Sequence, residues 1–237
     1  MRIRQFGNIY QLAFLPTIFP INCYLVDEGV DLTLIDTGMV FCTKGILQAI
    51  KKLNKPLARI ALTHPHVDHI GSLDAIKAAF PAAQVYVSRR DARLMMGDTS
   101  LQCTEDQAEI KGGFDQHVRT KPDDLLEANR QLKSLTVYDA PGHTPGSIVF
   151  YQKSSAILLA GDAMVTRGGL AVAGDKRWLF PFSAAATWSP ATAIKSMERL
   201  NQLPIRYLLV GHGRAMEDAN QKITKAIWRA ERKVGHV

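Results

Sequence analysis

Cysteine is scarce in this chain of 237 residues: Cys23, Cys42 and Cys103 are the only three, and no two share a C-x-x-C spacing. An odd count without that spacing excludes a disulfide framework and a thiolate zinc site. Free buried thiols in a reducing compartment are the expected state. Long apolar runs are missing too. Nothing approaches the ~18 residues that a membrane-spanning helix requires, so no membrane partner is expected. Pro16 and Pro20 cut the apolar N-terminal segment, which has no small-residue cleavage site; it reads as folded strand and loop, not as a secretory leader. A cytoplasmic location is the expectation. No low-complexity linker divides the chain, which reads as one domain over residues 1–237.

What is present is an ordinary globular composition, 46% hydrophobic and 22% charged. That excludes disorder, collagen and a small cystine scaffold, and a chain of this size buries a core without staples. Lys and Arg exceed Asp and Glu by 29 to 22, a net charge of +7. Such a charge can attract nucleic acid or anionic substrates. The basic residues are scattered, however, and the densest groups are 51–52, 89–90 and 229–233. A solvated surface is the better reading, and nucleic acid is the disfavoured partner.

The coarse pattern alternates β and α. Residues 22–26 and 32–35 are short apolar runs separated by Asp27-Glu28-Gly29, a hairpin signal. Ile46, Leu47, Ile50 and Leu53 recur at helical spacing, and Pro56 is the expected stop. Then 59–63 predicts a buried strand, 71–80 a helix and 84–88 a strand, whereas 97–130 is polar and reads as helical excursions and loop. Strands are expected again over 135–138, 148–151, 156–159 and 207–210, with helices over 191–200 and 216–233. Two segments echo each other: 23–36 and 147–162 each read as strand, turn, strand, and each ends in an acid, Asp36 or Asp162.

Chemistry concentrates in His64-Pro65-His66-Val67-Asp68-His69, directly after an expected strand and before an expected helix. Strand ends of this kind are where side chains converge in open α/β sheets. Two imidazoles two residues apart share one side of an extended segment, and an acid with a third imidazole on the next turn faces a second position. Imidazole and carboxylate suit Zn first, with Fe, Mn, Co and Ni also compatible. A merely solvated histidine cluster would predict nothing elsewhere. Instead His143, Asp162 and His212 each sit where an expected strand gives way to a glycine-flanked loop.

At this point the residues resemble a family. The series from Thr63 through His64, His66, Asp68 and His69 to Gly71, followed by His143, Asp162 and His212, is similar to the metallo-β-lactamase superfamily. The order fits from Asp36-Thr37-Gly38 to Gly211-His212-Gly213. The resemblance implies an α/β fold, an αβ/βα sandwich of two mixed β-sheets flanked by helices. It implies two divalent metal ions per chain, one held by His64, His66 and His143. Asp68, His69 and His212 would hold the other, with Asp162 bridging and with Asp68 and Asp162 as the catalytic carboxylates. It further implies water activated between the ions as the nucleophile. Asp36 is expected either to orient a ligand imidazole or to cap a strand end. His117 and His236 lie outside the motif; His236 reads as a solvated tail residue.

Branches of the superfamily differ in features this sequence has or lacks. Flavin-linked diiron oxidoreductases carry an acid where His66 stands and need a flavin domain. RNA-cleaving branches add a large domain, and β-lactamases with a cysteine ligand need a Cys that is missing here. Hydroxyacylglutathione hydrolases have a longer C-terminal helical region. Acyl-homoserine lactonases are close in length and often place a Tyr near the metals, although Tyr138, Tyr151 and Tyr207 read here as core. The expectation is a hydrolase of a small ester, lactone or thioester. A mononuclear iron persulfide dioxygenase and a non-catalytic binding member are the alternatives. Residues 164–190, with Trp178, Leu179, Phe180, Phe182 and Trp188 beside Arg167, Lys176 and Arg177, are expected to overhang the site and to favour apolar substrates over phosphodiesters.

Overall fold

A strand buried on both faces has no polar side to alternate with, and Ile21–Asp27 is buried at its first six positions. The computed structural model describes residues 1–114 and 117–234. Two compact units divide it, Met1–Gly97 with Phe114–Leu126, and Asp98–Gly113 with Glu127–Val237.

In the first unit, β1 (Arg2–Phe6), β2 (Ile9–Phe14), β3 (Ile21–Asp27), β4 (Leu32–Ile35), β5 (Leu57–Ala61), β6 (Gln84–Ser88) and β7 (Asp124–Leu126) form one sheet in that order. Pairing is antiparallel from β1 to β4 and parallel from β4 to β7. The helices are α1 (Thr43–Leu53), α2 (Val67–Ile70), α3 (Leu73–Ala79) and α4 (Arg89–Met95). Helix α1 buries Ile46, Ala49 and Ile50. It stops at Asn54, whose φ of 52° turns its amide back onto the Ile50 and Lys51 carbonyls, so Asn54 and not Pro56 ends it.

The second unit contains β8 (Gln131–Leu132), β9 (Leu135–Asp139), β10 (Ile148–Gln152), β11 (Ile157–Leu159), β12 (Met164–Val165), β13 (Ala171–Val172), α5 (Phe182–Ala185), α6 (Pro190–Leu200), β14 (Tyr207–Leu209), β15 (Met216–Glu217) and α7 (Asn220–Val234). Its main sheet runs β15-β14-β11-β10-β9-β8, and β12 pairs with β13. Helix α7 buries Ile223, Ala226, Ile227 and Ala230, one stripe at helical spacing, in a core separate from that of the first unit.

The echo in the sequence has a structural counterpart. Strands β3 and β4 form an antiparallel pair, and β4 then runs parallel to β5 with Ile35 opposite Ala61. Likewise β10 and β11 pair antiparallel, and β11 runs parallel to β14 with Leu159 opposite Leu209. Asp36 and Asp162 therefore leave the end of a hairpin, while His64 and His212 leave the end of its parallel neighbour.

Several expected boundaries move, each for a local reason. The helix expected over 71–80 begins only at Leu73, because Ser72 bonds to another loop: its hydroxyl donates to the Met39 carbonyl at 2.6 Å. The helix expected over 216–233 begins at Asn220, because Asp218 has a φ of 49° and Met216–Glu217 pairs with β14. Cys23 and Cys42 are buried as expected, but Cys103 is exposed. No helix among the described residues is long and apolar enough to cross a membrane.

The described part of 97–130 is irregular backbone ending in β7, with no helix beyond Gly97. Side chains occupy groups that a helix would have bonded internally. In the first unit, Asp74 accepts from the Arg119 and Thr120 amides and from the Thr120 hydroxyl. In the second, the Ser189 hydroxyl donates to Asp106 at 2.5 Å, and the Trp188 indole donates to the Ala108 carbonyl at 3.0 Å. The Ser189 bond, with the Ala108 amide second, holds the Asp106 carboxyl below its ordinary value. A depressed folded-state value contributes stability above the unfolded pKa of ~3.9 and loses it as pH falls through the folded value. The urea midpoints of wild type and Asp106→Asn are therefore expected to differ at pH 7 and to converge as pH falls through the folded value, which lies below ~3.9. A gap independent of pH would refute the tether.

Candidate metal centre

Strand β5 delivers Leu62 and Thr63, then His64, into the loop that opens α2. His66 precedes that helix in an extended conformation, φ −69° and ψ 150°, and its carbonyl accepts from the amides of His69 and Ile70. His64, His66 and His69 are buried, while Asp68 is half-buried. The rings of His64 and His66 are 4.7 Å apart, and those of His64 and His69 are 4.0 Å apart. Ligand-capable atoms of His64 and His66, of His64 and His69, and of Asp68 and His69 approach within 4.8 Å pair by pair. All four sequence-expected residues of this unit thus come together.

Asp36 organises them. It adopts φ 57°, a left-handed conformation that Asp tolerates better than most residues. One carboxylate oxygen accepts from the Thr63 amide at 2.8 Å; the other takes the Thr63 hydroxyl and faces His69 Nδ1, both at 2.8 Å. A carboxylate only accepts, so His69 carries its proton on Nδ1 and keeps a lone pair on Nε2. The Thr63 hydroxyl spends its proton on Asp36, so at 3.0 Å from His64 Nδ1 it must accept, and His64 likewise keeps its lone pair on Nε2. Both expectations for Asp36 hold: it stands at the end of β4 and it orients an imidazole. Thr37 adds a clamp, its amide donating to the His69 carbonyl at 2.7 Å.

The second unit assembles His143, Asp162 and His212. One Asp162 oxygen lies 3.5 Å from His143 Nε2 and 3.2 Å from His212 Nε2, and all three side chains are buried. Threonine works here as it does beside His64. The Thr187 hydroxyl donates to the Ser183 carbonyl at 2.7 Å, so it accepts from His143 Nδ1 at 3.1 Å and leaves the lone pair on Nε2. His143 Nε2 thus faces the same carboxylate oxygen that His212 Nε2 approaches, so three buried donor groups converge on one point. The His212 carbonyl is held by the Thr166 and Arg167 amides at 3.0 and 3.2 Å. Gly142 is obligatory beside His143: its φ is 143°, and a Cβ there would lie 2.3 Å from the Ala193 backbone.

Sequence reading missed several members. Thr187 lies 44 residues from His143 and carries no motif signal. Phe114 packs its ring 5.0 Å from His66; Phe180, already expected near the site with the 164–190 segment, packs 4.9 Å from His212. Only Thr63, adjacent to the cluster, stood where the motif pointed. His117 is exposed and lines a surface cavity with Asp74 and Thr120, away from the cluster; His236 lies outside the described residues. Tyr151 is buried and donates to the Pro204 carbonyl, and Tyr138 packs against it, in keeping with a core role.

A family model of the metallo-beta-lactamase superfamily matches residues 16–212. The uncharacterised protein YobT of Bacillus subtilis (strain 168) is 46% identical over 232 residues, covering 98% of this chain and 100% of YobT. A hydroxyacylglutathione hydrolase of Synechococcus sp. (strain JA-3-3Ab) is 30% identical over 159 residues, covering 67% of this chain and 50% of that enzyme. The protein TTHA1623, solved in a di-iron-bound form, matches with a TM-score of 0.65 and 26% identity, covering 90% of this chain and 96% of that one. Mixed sheets flanked by helices, together with these matches, define a metal-dependent hydrolase in general terms, with the αβ/βα fold class expected from the sequence. The chain belongs to the metallo-β-lactamase superfamily.

Proposed function

We propose that the chain works as one catalytic domain in which seven side chains hold two divalent ions. His64, His66 and His143 serve one ion, Asp68, His69 and His212 the other, and Asp162 bridges. The reaction is hydrolysis of an ester, lactone or thioester in a small substrate. The observation that carries this reading is the convergence of buried imidazole nitrogens on carboxylate oxygens, with His143 Nε2 and His212 Nε2 at 3.5 and 3.2 Å from one Asp162 oxygen. Imidazole and carboxylate donors suit Zn, and the di-iron form of TTHA1623 supports iron as the second choice.

When bound, such ions acidify water and polarise a carbonyl oxygen. The chain's own residues do the rest. Asp36 and Thr63 hold the protons of His69 and His64 on Nδ1, and Thr187 does so for His143. Burial of six of the seven donors keeps bulk water from competing for them. Asp68, the half-buried one, takes up the proton of the attacking water at a carboxylate oxygen. The Synechococcus enzyme is matched over only 50% of its length, so the remainder of that enzyme lends no support to a glutathione thioester here.

Elemental analysis of protein purified without chelator is expected to find two ions per chain. The metal-loaded protein is expected to turn over esters, lactones or thioesters in preference to phosphodiesters and β-lactams. One iron per chain with oxygen uptake on a persulfide would replace this reading with the dioxygenase alternative. Metal uptake without hydrolysis of any panel member would leave a binding protein.

A further inference from the structure

Resting on the hydrolase reading, we propose that the turn Arg177–Phe180, together with Phe182, is the acyl-recognition element of the site, and that it selects a substrate with an unbranched apolar acyl chain. The Phe180 amide donates to the Arg177 carbonyl at 3.0 Å, which closes a β-turn with Trp178 and Leu179 at its two corner positions. Turn corners ordinarily go to Gly, Pro, Asn, Asp or Ser, for conformational reasons that Trp and Leu do not share. Trp178 is 93% exposed, Leu179 73% and Phe182 57%. Three large apolar side chains within five residues, all outward, form a patch of the kind that marks a ligand surface. Phe180 and Trp188, expected beside them, are instead 2% exposed and belong to the interior.

The patch is built, and it is continuous with the metal donors. Gly168 lies beneath the turn, where a Cβ would meet those of Leu179 and Arg177 at 3.2 and 3.3 Å. Phe182 sits edge-on to Phe180 at 5.5 Å, and Phe180 packs on the His212 ring at 4.9 Å. The helix that begins with Phe182 is followed by Thr187, which holds His143. One short stretch therefore touches two donors of the centre through Phe180 and Thr187 and also carries the exposed Trp178, Leu179 and Phe182. Lys176 places its ammonium 5.9 Å from the Trp178 ring, within cation–π range. Phe182 joins this surface to His212 through two ring contacts, which is the path an acyl chain leaving the reacting carbonyl would follow.

The test uses p-nitrophenyl esters from acetyl to octanoyl with full-length metal-loaded protein, and Trp emission on addition of octanoate. A fully buried methylene is worth about a fourfold change, so partial cover over six methylenes should raise kcat/KM at least about tenfold from acetyl to octanoyl. The rise should come through KM. Trp178→Ala is expected to flatten it to about twofold, with Phe182→Ala intermediate and thermal midpoints unchanged for Trp178→Ala. Octanoate should blue-shift Trp emission in wild type and Trp228→Ala but not in Trp178→Ala. Acetyl ester turnover with a flat chain-length profile would overturn this inference alone. No turnover of any ester, lactone or thioester would overturn the hydrolase reading, and the emission titration would then decide the apolar ligand by itself. A shift caused by anionic phospholipid vesicles and not by octanoate would make the turn a membrane contact and would also overturn the proposal.

Discussion

Asp162→Ala is expected to reduce metal content to at most one ion per chain and to lower turnover by about a thousandfold or more, comparable to the loss of a central catalytic group. The side chain is buried, and a single oxygen stands within 3.5 Å of imidazole nitrogens on two different loops. Its removal takes a donor from both proposed ions and leaves the His143 and His212 imidazoles without the carboxylate they share. Metal content and turnover measured together decide the matter. Full occupancy with reduced turnover would show that Asp162 is not a shared ligand.

A smaller but more diagnostic loss is expected at Asp36. Partners that orient a ligand imidazole typically cost ~10–100-fold in metal affinity or activity when removed. Asp36→Ala should fall in that range. Asp36→Asn keeps the left-handed conformation that asparagine also tolerates, yet it should not rescue, because an amide NH2 then stands where two donors already point. Proton positions on His69 and His64 read by 15N NMR should shift in the Asn variant. An Asn variant with wild-type affinity would mean that the carboxylate's charge is irrelevant and that only its shape matters.

The clustered histidines and aspartates were legible because His64, His143, Asp162 and His212 each follow an apolar run, and strands 84–88 and 32–35 were read to the residue. The helical boundaries were less so. Periodicity cannot register Ser72 reaching across to the Met39 carbonyl, nor the left-handed turn at Asp218 that restarts the chain before α7. Thr187 was invisible for a different reason: its role exists only once Ser183 supplies an acceptor behind it. The aromatic segment was half legible. Its proximity to the centre followed from Asp162, but hydropathy cannot separate Phe180 and Trp188, which fold inward, from Trp178 and Leu179, which do not.

Asp175 is buried in the turn after β13, its amide donating to the Val172 carbonyl, three residues before Trp178, and it is gripped by α7. Arg229 donates to it at 2.7 and 2.9 Å and Lys233 at 2.5 Å. The last turns of α7 thus act as a mooring for the loop that carries the proposed recognition turn. Loss of either cation would leave a buried carboxylate short of its partners, so the position of that loop and the stability of α7 are tied to the same three side chains.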